Sequence, residues 1–234
     1  VLYGFSEETE NEITYVKVVP YSTWSPTLKT SGPREPSAIS YDDTSSNLSQ
    51  VNRILNTNYS DATSFETELQ KEYNEMVEKV KNAGGFWVGR YETSNMSNSA
   101  TKAKVSSKKG TTNKISNISW YRMYAKQSLY SELVLKDVND KTTKTSSMIW
   151  GSQYDQIMIW MKNEKNDKET TRGKYYVTNG VGKGNYGTIE EIDDGNKDTN
   201  NPASTGSQEI YKIKNIYDLA GNVWEYTMEA NETR

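Results

Sequence analysis

The stretch that most restricts this chain runs from Thr63 to Ser94, "TSFETELQKEYNEMVEKVKNAGGFWVGRYETS". Leu69, Tyr73, Met76, Val77 and Val80 recur at three- and four-residue spacing, the period of a helix with one apolar face. Thr63 stands three residues before Glu66, a capping-box spacing that predicts the start of the helix. Gly84 and Gly85 are its stop signals. An aromatic and β-branched run, "FWVGRYETS", follows at once and reads as a buried strand. The chain therefore passes from helix to strand across two glycines.

Other elements are shorter. "EITYVKVVP", Glu12 to Pro20, alternates with period two and predicts a strand. From Tyr21 to about Ser60 the composition turns to Ser, Thr, Asn and Pro and reads as irregular surface structure. "NMSNSATKAKVSSKKGTTNK" predicts a long polar loop. Trp120, Met123 and Tyr124, behind Ser119 as N-cap, predict one short amphipathic helix, and Tyr154, Ile157, Met158 and Met161 predict another. Residues from Asn163 to Gln208 are polar except for "KYYVTNGVG", a strand and turn, and the rest of that span reads as a surface excursion at about 163–208. The expected layout is an N-terminal arm, 1–11, followed by one α+β domain, 12–234.

Composition narrows the chemistry. The chain of 234 residues is 33% hydrophobic with a mean hydropathy of -0.89, yet it holds 17 Tyr and 6 Trp, so the expected core is aromatic. Trp87, Trp120, Trp150 and Trp224 are its expected anchors. With neither His nor Cys, these residues supply no Ser-His-Asp triad, no thiol nucleophile and none of the usual zinc ligands. A net charge of -3 from interspersed charges gives no basic field for nucleic acid. No apolar run reaches the length of a membrane span, no signal peptide begins the chain, and a first residue other than Met reads as an excised or processed piece.

Several motifs have plain explanations. "GKGNYG", Gly182 to Gly187, has dinucleotide-loop spacing, but the acidic run behind it is no phosphate-binding helix, so it reads as a turn. "DGNKDTN" begins like a calcium loop and fails at Thr199 and Thr205, where the tight-turn Gly and the bidentate Glu belong. "KAKVSSKKG", Lys102 to Gly110, reads as a solvated basic loop. Better material lies in "NIYDLAGNVWEYTMEA", Asn215 to Ala230. Asp218 and Glu225 bracket a Gly-Asn turn, and a chain folding back there can aim two carboxylates and some carbonyls at one point, the oxygen shell that calcium takes. In the plainer alternative Asp218 caps a turn, Glu225 accepts hydrogen bonds and Trp224 is core.

That string resembles the signature of the formylglycine-generating enzyme, or sulfatase-modifying factor, family. "ITYVKVVP", "GFWVGRYETS", "NISWYRMYAK" and "SSMIWGSQYDQIMIWM" resemble its earlier segments, in family order from about Glu12 to Glu229. "GPREP", "GGFWVGRYE", "SSMIWG" and "IYDLAGN" further resemble strings of gut Firmicutes surface proteins, some with a pilin-like N-terminal segment. The resemblance implies a variant of the C-type lectin fold, with a structural calcium held by the side chains of Asp218 and Glu225 and the carbonyls of Gly221 and Val223. It also implies a bacterial cell-surface or extracellular setting. Related lectin-fold proteins are variable binding proteins of diversity-generating retroelements or phage receptor-binding proteins.

The family's oxidation chemistry uses a cysteine pair after the tryptophan motif, and these residues contain no cysteine. No catalytic residue and no cofactor beyond calcium is therefore expected, and the expected activity is non-catalytic binding of a protein or glycan. The closing strands of the family fold are expected to be missing, to be completed by a C-terminal segment or another subunit on an open sheet edge. The alternatives are an oxidase whose catalytic part lies outside this sequence, and a structural minor pilin or phage tail subunit.

Overall fold

The computed structural model describes residues 5–8, 13–21, 24, 46–93, 107, 109–110, 120–125, 147–162, 204–206, 209, 212–219 and 226–228. Three strands, β1 (Phe5–Glu8), β2 (Ile13–Val18) and β3 (Phe86–Gly89), form an antiparallel sheet in that order. The helices are α1 (Ser46–Leu55), α2 (Ala62–Ala83), a helical stretch at 120–125 (α3) and α4 (Gly151–Lys162). A separate hairpin pairs β4 (Lys212–Ile213) with β5 (Ile216–Tyr217). The mixture is α+β.

The long helix behaves as its periodicity requires. Phe65, Leu69, Tyr73, Val77 and Val80 are buried along one face of α2, with Met76 half-buried between them. Its start lies elsewhere than Thr63 and Glu66: Asp61 is the N-cap, and its carboxylate accepts from the Ser64 amide at 2.8 Å in a capping box completed by Ser64. That hydrogen bond, more than any other influence, holds the Asp61 carboxyl below its ordinary range. At the other end Gly84 adopts φ 64° and its amide returns to the last turn. Gly85 is needed for a different reason, since a Cβ there would stand 2.5 Å from the Val18 carbonyl oxygen.

Two apolar cores lie along α2. Leu48, Val51, Phe65, Leu69, Tyr73, Val77, Tyr124 and Trp150 belong to the first, where aromatic edges meet faces: Phe65 and Tyr124 at 5.2 Å, Tyr73 and Trp150 at 5.0 Å. The second gathers Val16, Val18, Val80, Phe86, Ile157, Trp160, Met161, Ile213 and Ile216. Met76 packs against both. One helix thus carries two packing duties.

Some expectations give way. The Tyr21 to Ser60 region includes α1, because Leu48, Val51 and Leu55 fall at helical spacing within a Ser- and Asn-rich sequence. Asn52 then organises the link to α2, donating to the Tyr59 carbonyl at 3.0 Å and accepting from the Tyr59 amide at 2.9 Å. Within the expected arm, 1–11, residues 5–8 form β1 and pair with β2. On α4 the buried side chains are Gln153, Gln156, Ile157, Trp160 and Met161, while Tyr154 and Met158 are half-buried.

Trp87 is a correction as well. Val88 pairs with Val16 and Phe86 with Val18, so the period of two turns Trp87, opposite Lys17, to the outer face of the sheet. It is 50% exposed, whereas Trp150 is 1% exposed and Trp120 is half-buried against the first core. Trp224 lies outside the described residues, as do "KYYVTNGVG", "GKGNYG" and "DGNKDTN".

Trp150→Ala is expected to cost about 3–5 kcal/mol in denaturant unfolding, and Trp87→Ala less than about 1 kcal/mol. Equal losses would contradict the assignment of Trp87 to the outer face.

Candidate functional site

The hairpin of β4 and β5 turns through Lys214 and Asn215, with φ 48° and 67°. A two-residue hairpin loop with both central residues in the left-handed region is the turn that matches strand twist. Asn tolerates that conformation; Lys is an uncommon occupant. Lys214 is nonetheless only 1% exposed. Its ammonium donates to the Trp160 carbonyl and lies 5.0 Å from the Trp160 ring centroid. Trp160 is in the final turn of α4, where carbonyls lack helical partners and the helix dipole favours a cation. A strained turn residue therefore closes the end of a helix.

Asp218 follows directly, at φ 59° and 0% exposure. A buried carboxylate requires donors. Its Oδ2 accepts from the Gly206 amide at 2.7 Å and from the Thr205 hydroxyl at 3.0 Å. Thr205 extends the network: its Oγ1 accepts from the Glu92 amide at 3.3 Å, and its carbonyl accepts from the Gly110 amide at 2.8 Å. Ser107 accepts from the Tyr91 amide at 3.1 Å and donates to the Tyr91 carbonyl at 2.7 Å, while the Tyr217 amide donates to the Arg90 carbonyl at 2.9 Å. Segments around Tyr91, Ser107, Thr205 and Asp218 meet here through polar groups.

Tight packing fixes the same corner. Tyr91 and Tyr217 stack at 5.0 Å with 23° between planes. Gly206, at φ 67°, has no room for a side chain, because a Cβ would stand 2.5 Å from Tyr91 Cε1. Thr205 and Gly206, within the expected surface excursion, and Ser107, within the expected solvated loop, are all buried. Their signal, a small polar residue or glycine in a polar run, cannot be told from loop composition without the partner.

Around the Tyr217 ring stand Arg90 Cζ at 5.5 Å, Lys109 Nζ at 5.8 Å and Lys212 Nζ at 6.0 Å from the centroid. Glu209 meets both lysines, at 2.6 Å for Lys212 and 3.6 Å for Lys109, and accepts from the Tyr217 hydroxyl. The Lys212 hydrogen bond, followed by that from Tyr217, holds the Glu209 carboxyl down at about 2 from an ordinary 4.5. Burial first, then the Glu209 contact, pushes the Tyr217 hydroxyl up to about 12 from 10.0.

Of the expected calcium ligands, the structure describes Asp218, whose Oδ2 is engaged by protein donors. Gly221, Val223 and Glu225 lie outside the described residues. Among the described residues no three of His, Cys, Asp and Glu are grouped so as to hold a metal. The end of the same string is anchored: the Thr227 carbonyl accepts from Trp120 Nε1 at 2.7 Å, and the Met228 amide donates to the Ile149 carbonyl at 2.9 Å. Comparison with known proteins finds no matching family model, no matching curated protein and no matching solved structure. Among the described residues no helix is long and apolar enough to cross a membrane.

Asp218→Ala leaves the Gly206 amide without its acceptor and should lower stability by about 3 kcal/mol, with Asp218→Asn, which keeps an acceptor, losing about half as much. Unfolding of both variants in urea checks this, and an Asp218→Ala protein as stable as wild type would contradict it. The Glu209 contribution is present above pH 4.5 and is lost as pH falls towards about 2. The Tyr217 contribution is present below pH 10.0 and is lost as pH rises towards about 12. The stability gap between wild type and Glu209→Gln, measured against pH, should therefore close at both extremes; a gap unchanged from acid to alkali would contradict the contact.

Proposed function

We propose that the chain is a non-catalytic, extracellular ligand-binding module on a formylglycine-generating-enzyme-like variant of the C-type lectin scaffold. The α+β organisation and the order of the motifs support that scaffold. The observation that carries binding is the outward placement of Trp87. An aromatic at 50% exposure on a sheet face, with Tyr226 at 46%, offers rigid amphipathic area of the kind that recognition surfaces use. With neither His nor Cys, these 234 residues supply no Ser-His-Asp triad and no thiol nucleophile.

A structural calcium belongs to the same proposal. Asp218 would hold it with Glu225 and the carbonyls of Gly221 and Val223, a set of oxygens that suits the ion. On the described side, Thr205 and Gly206 fix the Asp218 carboxylate and so remove its rotamer freedom before any ion arrives. Calcium bound there would stabilise the turn between Asp218 and Glu225.

Screening against glycan and protein panels should find a ligand whose affinity falls at least about tenfold in Trp87→Ala with little change in melting temperature. Copper-dependent oxidation of a cysteine peptide by the purified protein would overturn the non-catalytic reading. Calcium added after chelator treatment, at ~100 times its Kd, should contribute ~2.7 kcal/mol and raise the melting temperature by roughly 5–10 °C. An unchanged melting temperature would remove the ion.

A further inference from the structure

We propose that the rim of Tyr217 binds an oxyanion displayed on a saccharide, a sulfate ester or a uronate carboxylate, through the ammonium groups of Lys109 and Lys212 with the Arg90 guanidinium on the same ring. This rests on the ligand-binding reading above and narrows it to acidic glycans.

Lys109 and Lys212 come from segments separated by about a hundred residues, yet both ammoniums lie within 6.0 Å of one ring centroid and share one carboxylate, Glu209. Arg90, from a third segment, brings its guanidinium to 5.5 Å of that centroid. Holding like charges together costs Coulomb energy, which a second anion would relieve. Glu209 is held down at about 2 first by its hydrogen bonds from Lys212 and Tyr217, with smaller contributions from the charges of Lys212 and Lys109. The place is also open, with the Lys109 side chain 55% and the Lys212 side chain 23% exposed.

The chemistry selects the ligand. A lysine ammonium is a compact point charge that suits sulfate and carboxylate alike. Nucleic acid fits poorly, because Tyr217 is 2% exposed and offers no face for base stacking, and a net charge of -3 repels a long polyanion. Contacts between exposed charges are individually weak, so a free anion gains little and the saccharide must supply further contact area. A short acidic oligosaccharide meets all three conditions.

The test titrates the purified chain at low salt with a sulfated disaccharide, a uronate disaccharide, the neutral parent disaccharide, inorganic sulfate and a short DNA oligonucleotide. At least one acidic disaccharide should bind, and the neutral parent at least about tenfold more weakly. Lys109→Ala should weaken binding about fivefold without changing the melting temperature, Lys109→Arg should restore it, and added NaCl should weaken it. Equal affinity for acidic and neutral disaccharides, no response to Lys109→Ala, or inorganic sulfate binding as tightly as the disaccharide would overturn the site. Tighter binding of the oligonucleotide would reassign the patch to nucleic acid and overturn the glycan. A neutral glycan or protein that binds through Trp87 while both acidic disaccharides do not would leave the binding module standing and remove this site alone.

Discussion

The carboxylate of Asp218 is buried at 0% exposure, and much of this architecture follows from satisfying it. A charge removed from water needs hydrogen bonds aimed at it. Here they come from residues 205 and 206, which must therefore fold inward from a polar stretch. Once there, the Thr205 hydroxyl links Asp218 to the Glu92 amide after β3 and its carbonyl accepts from Gly110, alongside the Tyr217–Arg90 backbone hydrogen bond and the Tyr91–Tyr217 stack. Lys214, four residues before Asp218, does the complementary work by closing the end of α4. Two buried ionisable groups of opposite sign, each using a different backbone element as partner, hold the hairpin between sheet and helix.

The string from Asn215 to Ala230 gains a specific structural meaning from this. Its start belongs to the second core through Ile216, and its end belongs to the first through Met228. α2 joins the same two cores from the other side, through Phe65 to Val77 on one and Val80 on the other. Density of sequence here reflects density of constraint: positive φ at Lys214, Asn215 and Asp218, buried charge, and a stacked tyrosine within the five residues from Lys214 to Asp218.

How far this could be read in advance depends on whether a signal is local. The face of α2, its glycine stop and strands β2 and β3 are periodic patterns and were legible. The position of Trp87 was not, since hydrophobicity alone does not say which face of a strand turns inward, and the pairing with β2 decides it. Helix α1 escaped because its four apolar residues, Leu48, Val51, Ile54 and Leu55, sit among serines and asparagines. Asp218 stood out in the sequence, but its partners Thr205 and Gly206 did not, because a buried hydroxyl and a turn glycine look like loop until the acceptor is in place. The cationic rim of Tyr217 joins residues 90, 109 and 212, a juxtaposition that no spacing encodes.

Asp218 is the acceptor that binds residues 205 and 206 into the fold. Native-state hydrogen exchange at the Gly206 amide tests that most directly. Protection approaching that of the buried helices, falling selectively in Asp218→Ala along with the Glu92 amide, is the expected result. Exchange of Gly206 at the rate of an open loop in the wild-type protein would contradict it.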